Sequence, residues 1–138
     1  AHGVQLELPV YGDRRQVDNV AYKEFGFELF VIDNKAVFIK ADLQDGALKI
    51  GAPNPLGWIA YRHKGQLFVK KSRYLDGEIY VDRGASHQIY CNPTVIELET
   101  LGPVQNMKPG QALNHQETWE IYSDGNWPEE IRTIFPDQ

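Results

Sequence analysis

The stretch Gly84–Tyr122, GASHQIYCNPTVIELETLGPVQNMKPGQALNHQETWEIY, decides the fold class. Ser86–Tyr90 and Thr94–Thr100 are dense in the β-branched and aromatic residues that suit a pleated, half-buried surface. A Gly102-Pro103 turn and a Lys108-Pro109-Gly110 turn follow, and then one long final strand. The stretch holds two of the four histidines, the only cysteine and four acidic residues at strand positions. Polar side chains at strand spacing face water or gather in a site, so the functional question is posed here.

Working outward, the same signals recur. Trp58–His63 and Gln66–Lys71 form a hairpin pattern around Lys64-Gly65. Phe27–Ile32 and Lys35–Lys40 form another around Asp33-Asn34. Val4–Leu8, stopped by Pro9, reads as an edge strand, Asp13–Asn19 as loop, and Ala47–Ile50 and Glu78–Val81 as short strands. Gly51-Ala52-Pro53-Asn54-Pro55 is a rigid loop that excludes a helix. Only Asn126-Trp127-Pro128-Glu129-Glu130 reads as a helix start, with a capping Asn, a proline in the first turn and acids at the positive end of the dipole. Short strands at steady spacing predict an all-β antiparallel sandwich or jelly roll, residues 1–138 as one domain, with one short C-terminal helix.

Composition narrows the class. A chain of 138 residues with 42% apolar content can bury one core. The formal charge of −5 argues against a nucleic-acid partner, which needs a basic face. No apolar run approaches the ~20 residues of a membrane helix. One cysteine, Cys91, leaves no internal disulfide and no Cys-rich zinc site. No leader pattern is present, so the expected location is cytoplasmic or, for a processed chain, secreted, with secretion favoured.

Lys49-Ile50-Gly51, Gly57-Trp58-Ile59-Ala60-Tyr61 and Leu67-Phe68-Val69-Lys70 occur in order, as do Tyr90-Cys91-Asn92-Pro93 and Glu97-Leu98-Glu99-Thr100-Leu101-Gly102-Pro103. Lys108-Pro109-Gly110 then leads to His115, Glu117 and Trp119. Together these motifs resemble the C-terminal half of a bacterial domain family of unknown function, itself similar to the galactose mutarotase-like supersandwich. The resemblance covers Lys49 to Tyr122. It implies an antiparallel β fold, carbohydrate as the ligand class, and Glu99 of Leu98-Glu99-Thr100 as the general base. A chain with half a supersandwich exposes sheet edges, so a homodimer is expected.

Two functional expectations follow, from different classes. In the first, His63, His87 and His115, on three strands, converge on a concave face in a cupin-like jelly roll and hold one transition ion, with Gln88 or Glu99 completing the shell. Neutral imidazoles suit copper first, then zinc, iron or manganese, and an open three-His site points to a small oxidative metalloenzyme acting on polysaccharide. Pro109-Gly110 before His115 loosely resembles the second cupin motif. In the second, Glu99 and the aromatics Trp58, Tyr61 and Trp119 make a metal-free sugar-binding or sugar-epimerising site. His115, Glu117, Trp119 and Ile121 share one strand face in either case. The free amine of Ala1 beside His2 is a separate copper-binding pattern. Lys70-Lys71 and Arg73, between Phe68 and Tyr74, are candidates to touch an acidic sugar, but they read first as solvated ends that discourage edge pairing.

Overall fold

Trp58–His63 reverses into Gln66–Ser72 through Lys64-Gly65, both at positive φ (47° and 75°), the mirror-image turn whose twist matches paired strands. Around this hairpin the computed structural model describes residues 5–8, 29–32, 36–41, 43–123 and 126–132. The elements are β1 (Gln5–Leu8), β2 (Leu29–Ile32), β3 (Ala36–Lys40), β4 (Leu48–Ala52), β5 (Trp58–His63), β6 (Gln66–Ser72), β7 (His87–Cys91), β8 (Ile96–Thr100), β9 (Glu117–Ser123) and one helical turn, α1 (Glu129–Arg132). The chain is an all-β antiparallel sandwich with a short C-terminal helix. One sheet has the order β2-β3-β1-β5-β6-β9 and the other β4-β7-β8. The chain leaves β6, builds β7 and β8 in the small sheet, and returns as β9 beside β6.

Strand parity explains the layers. Ile39 on β3 and Ile59 on β5 face Leu48, Ile50 and Ala52 on β4 and Ile89 and Cys91 on β7, an aliphatic core between the sheets. The opposite face of β5 and β6, with Trp58, Ala60, Leu67 and Val69, packs under Ile131 of α1, with Trp127 and Tyr122 at its edge. The large sheet is therefore covered on both sides, by the small sheet and by the C-terminal turn. Gly57, at φ +71°, joins the layers: any Cβ there would sit 2.5 Å from the Ser72 carbonyl oxygen. That close approach lets Ser72 N–H donate to Gly57 O at 2.8 Å.

Several sequence expectations change, among them Gly51-Ala52, read as loop, which end β4 and pair with Gln88 and His87. The expected edge strand is interior over its described residues, Gln5–Leu8: β1 pairs with β3 on one side and β5 on the other. Glu78–Val81 forms no strand, because the chain turns through Val81–Gly84 with Asp82 and Arg83 at φ 50° and 62°. Asn126 does not cap α1 through its side chain, which donates instead to Ser123 Oγ at 3.2 Å. The Asp33-Asn34 turn, the Asp13–Asn19 loop and the Ala1-His2 pattern lie outside the described residues. Among the described residues, no helix is long and apolar enough to cross a membrane. β2 and β9 bound the large sheet and β4 and β8 the small one.

Candidate functional site

The small sheet stops short of β9. Register places Ser72 beside Glu117, Lys70 beside Trp119 and Phe68 beside Ile121 on the face turned toward the small sheet. From across the gap, β8 points Ile96, Leu98 and Thr100 inward, because these residues pair with the inward-facing Cys91, Ile89 and His87. Trp119 and Ile121 are 66% and 73% exposed. Between the two sheets a cleft of about 570 Å³ opens, lined by Tyr61, Phe68, Lys70, Asn92, Leu98 and Trp119 among others.

Glu117 is the hub of this edge. Its carboxylate accepts from Lys70 Nζ at 2.8 Å, from the Thr100 hydroxyl and from Trp119 Nε1 at 3.0 Å. Partial burial works against its charge, but the hydrogen bonds from Lys70, Thr100 and Trp119 and the charge of Lys70 outweigh it, bringing the pKa to about 2. Lys70 also donates to the Leu98 carbonyl at 2.9 Å, so one ammonium ties β6 to β8 and β9. Trp119 is held edge-on to Phe68 with ring centroids 5.8 Å apart, and Lys70 Nζ lies 5.7 Å from its ring centroid.

His87, with no exposed surface, sits behind this cluster. Its Nδ1 lies 3.2 Å from Ser86 Oγ and its Nε2 3.4 Å from Ser72 Oγ. Burial, then the charge of Lys70 and then His115 push its pKa down to about 4, against a weaker opposing pull from Glu117. His87 is a neutral, hydrogen-bonded core imidazole at ordinary pH. His115, in the loop before β9, places Nε2 2.8 Å from Thr100 Oγ1 and 3.8 Å from Glu117 Oε1.

The residues singled out in the sequence separate accordingly. Tyr61 and Trp119 both line the cleft. Trp58 lies on the other face of β5, in the core under α1. His87 and His115 converge through Thr100. His63 does not join them: it stacks near Tyr61 at the hairpin tip, six residues along β5 from Gly57, or roughly 20 Å at strand rise. Gln88 points to the opposite side of β7 from His87, where it donates to Asp82 at 2.6 Å. Glu99 alternates with Thr100 and so faces outward, bonded to Lys49 Nζ at 3.0 Å on the solvent side of the small sheet. The histidine set with Gln88 or Glu99 therefore does not fit one metal ion. Among the described residues, no three His, Cys, Asp or Glu side chains gather in a way that could hold one. Cys91 is buried in the core, and burial lifts its thiol to about 11, which leaves it unreactive.

Phe68 lines the cleft and Thr100 braces Glu117 beside it, and sequence reasoning singled out neither; Lys70, which also lines the cleft, it read first as a solvated strand end. Lys70 is not a solvated strand end; β6 is paired on both sides, and its neighbour Lys71 turns to the other face to meet Glu120 at 2.7 Å. The available signal was parity: Lys70 stands two residues from Phe68 and two from Ser72, on the face that β9 continues. No family model, curated protein or solved structure matches the chain.

Proposed function

We propose that this chain is a metal-free carbohydrate-binding domain that takes a neutral sugar in the cleft between β6, β8 and β9. The observation that carries the reading is Trp119. It is two-thirds exposed on a sheet face, yet Glu117, Phe68 and Lys70 hold its ring in one orientation beside a cleft. A fixed, exposed aromatic ring beside convergent polar groups suits a sugar, whose C–H face is apolar and whose rim carries hydroxyls. Lys70 and Asn92 offer donors in the cleft lining, and Tyr61 and Phe68 contribute aromatic surface to it.

Binding suits this site better than turnover. A general base works best when its pKa lies near the operating pH. Glu117, the carboxylate that bonds the cleft residues Lys70 and Trp119, is kept at about 2 by its donors, which makes it a weak base. Glu99, to which the mutarotase resemblance would give that role, is turned to solvent. Glu117 is better suited to orienting Trp119 and Lys70 than to moving a proton.

The test is Trp119→Ala, titrated calorimetrically against a panel of neutral mono- and oligosaccharides. Because Trp119 is mostly exposed, its loss should change unfolding stability by less than about 1 kcal/mol while reducing sugar affinity roughly tenfold or more. A panel without a binding sugar, or a variant that binds as wild type does, removes the reading.

A further inference from the structure

A second cleft, about 360 Å³, is lined by Arg73, Gln105, Leu113, Asn114, His115 and Gln116 among others. Arg73, just past the end of β6, is exposed. Its neighbours on that strand are neutralised, Lys70 by Glu117 and Lys71 by Glu120. Among the described residues Arg73 meets no carboxylate, although the chain carries five more acidic than basic residues (19 against 14). The cleft thus presents an unneutralised guanidinium, the side chain whose planar fork matches a carboxylate.

His115 supplies a second, different contact. Thr100 has one hydroxyl hydrogen, and it goes to the ionised Glu117 carboxylate, which has none to give back. Thr100 Oγ1 must therefore accept from His115 Nε2–H across their 2.8 Å separation. That fixes the neutral ring as the Nε2–H tautomer and leaves the Nδ1 lone pair as an acceptor. His115 is exposed, and among the described residues its ring bonds only through Nε2, so the Nδ1 lone pair is left open. An acceptor at His115 beside a cation at Arg73 asks for a ligand with a hydroxyl donor next to a carboxylate.

We propose that this second cleft binds a hydroxy-carboxylate, with its carboxylate on Arg73 and its hydroxyl donating to His115 Nδ1. The exposed amides of Asn114, Gln105 and Gln116 stand around the same space, and the volume, near the lower end for small-molecule pockets, suits a ligand of one ring or smaller. The site stands apart from the sugar reading of the first cleft, since neither Arg73 nor His115 lines that cleft. Two sources share the chemistry: a sugar acid and a small aliphatic hydroxy acid.

The experiment titrates the full chain, by calorimetry and by following the His115 imidazole resonances, with D-glucuronate, L-lactate, acetate and glucose. Glucuronate or lactate should bind roughly tenfold or more tightly than acetate, which lacks the hydroxyl, and than glucose, which lacks the carboxylate. Stronger glucuronate binding assigns the site to a sugar acid, and stronger lactate binding to a small hydroxy acid; either supports the shared chemistry. Arg73→Gln and His115→Leu should each weaken the best ligand by about tenfold, both being exposed changes that leave the fold intact. Trp119→Ala should leave this binding untouched while removing neutral-sugar binding, so the two readings fail separately. Acetate binding as well as the hydroxy acids overturns the role of His115, and wild-type affinity in Arg73→Gln overturns the site.

Discussion

The inward face of the large sheet has two halves. Along β3 and β5 the small sheet covers it, and Ile39 and Ile59 are sealed among Leu48, Ile50 and Ile89. Along β6 and β9 the cover ends, and the same face carries Phe68, Lys70, Ser72, Glu117, Trp119 and Ile121. Backbone geometry is continuous across the two halves, so the difference lies in what stands opposite. Where a second sheet excludes water, only aliphatic side chains avoid a desolvation cost. Where it stops, ion pairs and an oriented indole can stand with partial access to water, and chemistry becomes possible.

The largest contrast is in stability. Ile59→Ala, fully buried between the sheets, should cost about 2–5 kcal/mol because it leaves a cavity that close-packed neighbours cannot fill. Ile121→Ala, on the same face but 73% exposed, should fall within about 0.5 kcal/mol of wild type. Urea unfolding of both variants measures the difference. Equal costs would mean that the β9 half is covered in solution, as a homodimer through that edge would make it.

This contrast also marks what the sequence could convey. The limits of β5, the start of β6, the Lys64-Gly65 turn and the shared face of Glu117 and Trp119 were all legible, because period-two alternation and turn chemistry are local. Which face was inner was not. Glu97 and Glu99 alternate with Ile96, Leu98 and Thr100, and only pairing to β7 shows that the Thr100 side is the inward one. Meeting of histidines was less legible still. His63 and His87 sit on strands of different sheets, at opposite ends of the sandwich, and no local rule encodes that register. Lys70 was misread because a lysine pair suggests an exposed strand end, whereas here one Lys faces each layer.

His87 sharpens the comparison at its boundary, where the sealed core meets the polar edge. Its folded pKa of about 4 lies below the unfolded value near 6.5, so the fold favours the neutral ring. Stability is then full above about pH 6.5 and is lost as pH falls toward 4, where the penalty levels off. The loss is of the order of 3 kcal/mol. Lys70 on β6 and Glu117 on β9 face the same ring with opposite signs, together with His115 from the preceding loop. Glu117 has the opposite charge type but the same direction of loss, in a lower window: its stabilisation disappears between about pH 4.5 and 2. Denaturation across pH should thus fall in two steps for wild type. In His87→Gln only the lower step should remain. An unchanged profile in that variant would assign the upper step to another group.

The smallest expected effect belongs to the residue that the mutarotase resemblance made most important. Glu99 stands one position from Thr100, yet the pleat sends it to the solvent side of the small sheet, where it meets Lys49 with both side chains partly exposed. An ion pair of that kind contributes between zero and about 1 kcal/mol, because water screens the attraction and both long side chains lose rotamer freedom. Glu99→Gln should therefore shift the urea midpoint marginally, and the shift should vanish in high salt. Sugar titrations on that variant should match wild type, since no atom of Glu99 reaches the cleft. Glu117→Gln, on the other side of the sandwich gap, should weaken binding by loosening Trp119 and freeing Lys70. If Glu99→Gln lost sugar binding and Glu117→Gln kept it, the inner and outer faces of β8 would be exchanged, and the small sheet would pair with one residue of slip.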